Sequence, residues 1–253
     1  MSPAEPFPLY HPADARRAFG SDDVTRRFAK VAQLEPGSNV LVLGCGADGA
    51  AALLLARELG CSVVAADADA DVVAAVRERV RNQGLADRIE TRGVDLDSLG
   101  LPEGAFHAIL VQGRVLYPLR DSLARLRGLL AKRGRVGLTF PARVVRVLPK
   151  AAQAFWERRV GGPLLHPGEL LQALEASGYE PESSETLSDV ELDDYYREVE
   201  ANLRPTSGPR AASLREELSL HRENNGKAAV SYAFFVGRRK EQGEKPPASR
   251  DRG

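Results

Sequence analysis

The chain is poor in sulfur and carries no charge of one sign. Two cysteines, one methionine and one tryptophan stand among 253 residues. Cys45 and Cys61 both fall at positions that read as buried strand or turn, so a disulfide framework is excluded and a reducing compartment follows. With only four histidines beside them, and no close ligand spacing, no metal site is expected. Lys plus Arg number 35 and Asp plus Glu number 35. That balance lacks the basic footprint of nucleic-acid binding, so no nucleic-acid partner is expected. No apolar run approaches the roughly 18 residues of a membrane span. Met1 to Leu9 has three prolines and lacks the basic-then-apolar order of a signal peptide. A cytoplasmic protein without a membrane partner is the expectation. Also missing are a Gly-x-Ser-x-Gly elbow, a Walker-type lysine and a Tyr-x-x-x-Lys pair.

What is present is an ordinary globular composition, 43% hydrophobic and 28% charged, enough to bury a core. Residues 1–20 read as an irregular arm. Residues 21–34 read as a helix capped by Ser21, with Val24, Phe28 and Val31 on one face. Strands and helices then alternate. Val40 to Leu43, Val63 to Ala66, Arg88 to Val94, Ala108 to Val111 and Arg135 to Phe140 read as strands. Ala50 to Leu59, Asp71 to Arg81 and Asp121 to Lys132 read as helices, the second capped by Asp69 and the third stopped by Gly134. This alternation predicts a mostly parallel sheet wrapped by helices. Further on, Pro167 to Ala176 reads as a helix, and apolar spacing suggests two more around Leu192 to Leu203 and Leu214 to His221. Ala228 to Val236 reads as a last strand. The expected division is a domain over 21–240, with a variable cap at about 142–227 and a disordered tail at 241–253.

The stretch VLVLGCGADG at Val40 to Gly49 is a buried strand that breaks into glycines and opens a helix. In open α/β sheets, ligands sit outside the carboxyl ends of the strands. Glycines there admit close backbone approach, and the helix start offers free N–H groups. Asp67 ends the second strand, a little beyond the roughly 20-residue spacing of a ribose-binding acid. Asp95 ends the third, where it could accept from an adenine amino group or simply be a solvated loop acid.

From about Arg26 to Pro141 the chain resembles the Rossmann-like, class I S-adenosylmethionine-dependent methyltransferases. LEPGSNVLVLGCG, VVAADADADVVAAVRERV, RGVDLDSLGLPEGAFHAILVQG and LRGLLAKRGRVGLTFP follow that family's order of segments. The resemblance implies a doubly wound, mostly parallel seven-stranded α/β sheet with an antiparallel final strand and helical cap elements. It implies S-adenosylmethionine as cofactor, with Gly44, Cys45 and Gly46 along its methionine part. Asp67 would hold the ribose, and Ala68, Asp95 and Leu96 would face the adenine. Gln112 would lie near the methyl group and the substrate.

Three positions depart from the family's pattern. Val42 stands where an acid is common, Asp48 where the third glycine usually falls, and His107 where Asp often follows the Phe of the turn.

The expected reaction moves a methyl group to a small-molecule acceptor. Tyr10 and Tyr117 are candidates for contact with that acceptor. His11, His166, Tyr195 and Tyr196 are weaker candidates, because aromatics at such spacing often serve packing. No catalytic base is assigned, since a sulfide or free amine can accept a methyl group without one. Two other readings stay open. One is a catalytically degenerate S-adenosylmethionine-binding protein. The other is an NAD-dependent oxidoreductase, because Gly44, Gly46 and Gly49 also satisfy G-x-G-x-x-G. The sequence leaves monomer and homodimer equally open.

Overall fold

A computed structural model describes residues 22–46, 48–94, 99–112, 118–203, 209–223 and 229–241. Seven strands form one sheet in the order β3-β2-β1-β4-β5-β7-β6. These are β1 (Asn39–Leu43), β2 (Ser62–Asp67), β3 (Ile89–Gly93), β4 (Phe106–Val111), β5 (Leu130–Arg143), β6 (Tyr179–Thr186) and β7 (Val230–Arg239). The first five are mutually parallel, and β7 runs antiparallel to both β5 and β6. The expected mostly parallel, seven-stranded sheet with an antiparallel final strand is thus present. Strand order reverses between β1 and β4, which opens a crevice at their carboxyl ends.

Both faces of the sheet are covered, which explains the continuous apolar runs of the central strands. On one face, α1 (Asp22–Val31), α2 (Ala50–Leu59) and α3 (Ala70–Asn82) bury Val40, Val42, Ala65 and Leu110. On the other, α4 (Leu119–Leu129) and α6 (Pro167–Ala176) bury Leu41, Leu43, Ile109 and Val111. Alternate residues of one strand therefore belong to different cores.

Helix α1 is anchored at several points. Arg26 pairs with Glu58 of α2 at 2.8 Å, and Arg27 with Glu185 of β6 at 2.9 Å. Phe28 is fully buried and meets Phe234 of β7 edge to face, at 6.5 Å between ring centroids. The buried face is Val24, Thr25, Phe28 and Ala29. Val31, expected on that face, is only partly buried, because the helix stops there and the chain turns through Gln33 at positive φ.

The remaining helices, α5 (Lys150–Val160), α7 (Asp189–Leu203) and α8 (Pro209–Glu223), form a separate apolar cluster with Val230 and Tyr232 of β7. Tyr232 pairs in register with Pro141, so this cluster adjoins the end of β5 that points the same way as the crevice. Within 142–227, then, β6 joins the sheet and α6 packs on it, and α5, α7 and α8 make up the helical cap.

The junction of α4 and β5 differs most from expectation. Helix α4 ends at Leu129 rather than Lys132, and β5 begins at Leu130, beside Phe106, with a register shift before Arg135. Arg133 adopts positive φ there, and a Cβ on Gly134 would stand 3.0 Å from the Ala131 carbonyl oxygen. Gly134 therefore serves a kink inside the strand, not the end of the helix. Helix α5 and strand β6 were not expected from the sequence.

Candidate cofactor and acceptor site

Three strand ends are tied together at the crevice. The Gly44 and Cys45 N–H groups donate to the Ala66 carbonyl at 2.9 and 3.2 Å, and the Gln112 N–H donates to the Leu43 carbonyl at 3.2 Å. The residues that follow β1, β2 and β4 are thereby held side by side. Gly44, Gly46 and Gly49 all have positive φ. Gly49 is also constrained by space, since a Cβ there would lie 2.9 Å from Val76 of α3. Its left-handed conformation places it at the N-cap of α2, which accounts for a glycine one position later than the family's usual spacing. Asp48 contributes instead a carboxylate Oδ1 that accepts the Ala50 N–H at 3.3 Å.

Asp67 is buried at the end of β2, and its Oδ1 accepts the Asp69 N–H at 3.1 Å. That bond ties the carboxylate to the turn that leads into α3, while Asp69 does the capping, accepting the Asp71 N–H at 2.9 Å as expected. Ala68 beside it is exposed. Cys45 is buried under the loop. Burial pushes its thiol well above the ordinary cysteine range, and the charges of Asp67 and then Asp48 push it further. Two carboxylates, Asp67 and Asp48, thus stand close enough to the glycine loop to act on that thiol.

Gln112 is buried at the end of β4, and its Nε2 donates to Thr25 Oγ1 of α1 at 3.4 Å. Sequence patterning assigns no role to Thr25, although it precedes Phe28 by three residues and so shares its helical face. The crevice thus brings together Gly44, Cys45, Gly46, Asp67, Ala68 and Gln112. Asp95, Leu96, Tyr10, Tyr117 and His11 lie outside the described residues.

Of the other expected contacts, His166 and Tyr196 are engaged within the fold. His166 is the N-cap of α6, its Nδ1 accepting the Gly168 N–H at 3.2 Å. Tyr196 donates its hydroxyl to Glu217 inside the cap at 2.9 Å, and Tyr195 lies on the same helix. His107 sits near the start of β4, at the opposite edge from the crevice, and its Nδ1 accepts the Asn39 N–H at 2.9 Å. A carboxylate could accept the same bond, so this departure bears on sheet assembly and not on the site. Val42 is fully buried among apolar neighbours, and no acid stands there.

A seven-stranded sheet of this order, with a glycine loop after β1 and an acid after β2, is the class I methyltransferase fold. Residues 40–134 match a family described as "Methyltransferase domain". Methyltransferase GfsG of Streptomyces halstedii is 29% identical over 109 residues, which is 43% of this chain and 39% of that protein's length. Among solved structures, geranyl diphosphate C-methyltransferase from Streptomyces coelicolor A3(2), bound to S-adenosyl-L-homocysteine, superposes with a TM-score of 0.67 at 15% identity. That match covers 85% of this chain and 79% of the other. The 4+2 cyclase SpnF superposes with a TM-score of 0.71 at 22% identity, covering 90% and 84%. Residues 40–134 thus resemble the methyltransferase domains in sequence, and over 85% to 90% of the chain the fold is that of these structures.

Among the described residues, no helix is long and apolar enough to cross a membrane, and no group of three or more His, Cys, Asp or Glu is placed to hold a metal.

Proposed function

We propose that this protein is an S-adenosylmethionine-dependent methyltransferase acting on a small-molecule acceptor. The observation that carries the reading is the buried Asp67 carboxylate beside a positive-φ glycine loop, at the point where strand order reverses.

The residues present fit the cofactor. Gly44 and Gly46 leave the backbone open to the methionine part, and the field of Asp67 and Asp48 suits its cationic groups. Asp67 accepts from the ribose hydroxyls through charge-assisted bonds. Ala68, with Asp95 and Leu96, bounds the adenine. Gln112 stands at the methyl end. S-adenosylmethionine supplies a methyl group already activated by its sulfonium. The chain's own contribution is then alignment and exclusion of water. The cap of α5, α7 and α8 adjoins the acceptor side, and Tyr10 and Tyr117 are the proposed acceptor contacts. Asp67 suits the ribose of either ligand, and Asp48, a carboxylate within the glycine loop, disfavours a pyrophosphate there.

A second reading, cofactor binding without methyl transfer, draws on the apolar Val42 and on a cyclase sharing the fold. Fold alone does not decide between them.

The test is calorimetric titration with S-adenosylmethionine and, separately, NAD. Saturable binding of S-adenosylmethionine, weakened at least ten-fold by Asp67→Ala, supports the site and is followed by an acceptor screen. Binding of NAD alone, or of neither ligand by folded protein, overturns the proposal.

A further inference from the structure

Gln112, Thr139 and, from α1, Thr25 meet on one face of the sheet at its carboxyl edge, the face that also carries Asp67. Leu110 lies on the α1 side and Val111 on the α4 side, so Gln112 returns to the α1 side. Val111 pairs in register with Leu138, which places Thr139 beside Gln112 on the next strand. Thr25 comes down onto the same face from α1. All three are buried, Thr25 completely. Val42 lies on this face too, paired with Leu110, one step below Gly44. The Gln112 amide therefore flanks Gly44 on this wall from the β4 side, as Asp67 does from the β2 side, and no acid stands on β1.

A glutamine amide has a donor end and an acceptor end in one plane. Thr25 engages the donor end, and among the described residues nothing bonds the carbonyl oxygen. Helix α1, which carries Thr25, is itself fixed. Phe28 is packed so closely against β5 that a Cβ on Gly137 would lie 2.5 Å from its ring, and Arg26 and Arg27 tie α1 to α2 and β6.

We propose that Thr25 is a positioning residue that turns the Gln112 carbonyl oxygen toward the ligand's sulfur, so that the site prefers the charged sulfonium to the neutral thioether product. The inference rests on the methyltransferase reading above. A carbonyl oxygen stabilises a sulfonium and its polarised methyl, and gains nothing comparable from a thioether. A site with this bias holds the methyl donor and releases the spent cofactor.

The test needs no acceptor. Dissociation constants for S-adenosylmethionine and S-adenosylhomocysteine are measured by calorimetry on the full chain, with thermal melting as a check on folding. Thr25→Val and Gln112→Leu are each expected to lower the preference for S-adenosylmethionine about five-fold. Thr25→Ser, which keeps the hydroxyl, retains it. The double variant is expected to be no worse than Gln112→Leu, because the two residues act as one unit. A Thr25→Val variant that weakens both ligands equally, or neither, overturns the proposal and leaves the cofactor site standing. Binding of neither ligand by the unaltered protein overturns both.

Discussion

Arg159 and Glu217 face one another at 3.3 Å inside the cap, with 5% and 1% of their side chains exposed. Around them Tyr196 and Tyr232 donate to Glu217 Oε1 at 2.9 and 2.6 Å, and Arg159 donates to Ser213 at 2.7 Å. The Arg159 guanidinium also lies 5.6 Å from the Phe155 ring and 5.8 Å from the Trp156 ring. One ion pair thus joins α5, α7, α8 and the start of β7, where the cap meets the sheet.

Removing one partner of such a pair strands the other charge. Arg159→Leu is expected to destabilise the protein by about 3–5 kcal/mol, seen as a fall in denaturation midpoint. Replacing Glu217 by Leu as well recovers much of the loss, since no buried charge then remains. A single-variant loss below about 1 kcal/mol would mean that the two tyrosine hydroxyls already satisfy Glu217.

Gly137 and Phe28 make a second point of contact. A Cβ at residue 137 would stand 2.5 Å from Phe28 Cδ2 and 2.6 Å from Cε2. The ring is fully buried and already meets Phe234 edge to face, which leaves it little room to shift. Gly137→Ala is expected to cost about 1–3 kcal/mol. Paired with Phe28→Leu, which vacates ring volume, the added methyl is expected to cost less than it does alone. Chemical denaturation of the four proteins measures that difference, and additive losses would show that the two sites do not clash.

Much of this was legible in the sequence, and the exceptions have physical causes. Buried parallel strands show as unbroken runs such as VLVL, so β1, β2 and β4 are legible to within one or two residues. Pro167 to Ala176 was read in full because a Pro start and a Gly after the end bracket it. Strand β6 carries PESSET, with almost nothing apolar. Its existence depends on the ladder offered by β7, a distant segment. Helix α5 does have Ala152, Phe155, Trp156 and Val160 at helical spacing, but their partners lie in α8 and β7 and are invisible locally. The site divides in the same way. Gly44, Gly46 and Asp67 announce themselves by position along the chain. Thr25 matters only because folding lays α1 across the end of β4.

Cap geometry at α6 gives a pH dependence. Glu169 accepts the His166 backbone N–H at 2.6 Å and pairs with Arg143 at 2.9 Å. That backbone bond first, and then the Arg143 charge, hold its carboxyl below the ordinary glutamate range, while partial burial acts against them. The unfolded chain then binds more protons than the folded one as pH drops. The contribution is complete above the unfolded carboxyl's value, about 4.3, and is lost as pH falls through the lower folded value. Because 46% of the Glu169 side chain is exposed, water screens the effect to about 1 kcal/mol or less. Glu169→Gln keeps a capping box and removes the titration. Denaturation midpoints of the two proteins are expected to differ above pH 5 and to converge toward pH 3. A constant gap across that range would assign the effect to packing.

The two thiols, finally, report on the glycine loop. Cys45 and Cys61 are both unpaired and buried. Burial raises both above the ordinary cysteine range, and Asp67 adds to the shift at Cys45. Only the thiolate attacks a disulfide reagent. In the native protein at pH 8, Ellman's reagent is expected to modify either thiol at least about 100-fold more slowly than in guanidinium, where both react at the rate of a free thiol with a pKa near 8.5. Rapid native reaction of one equivalent, traced to Cys45 by peptide mapping, would show that the loop between β1 and α2 opens on its own. Slow reaction of both would show that it stays closed over its thiol, as a loop knitted to Ala66 by two backbone hydrogen bonds requires.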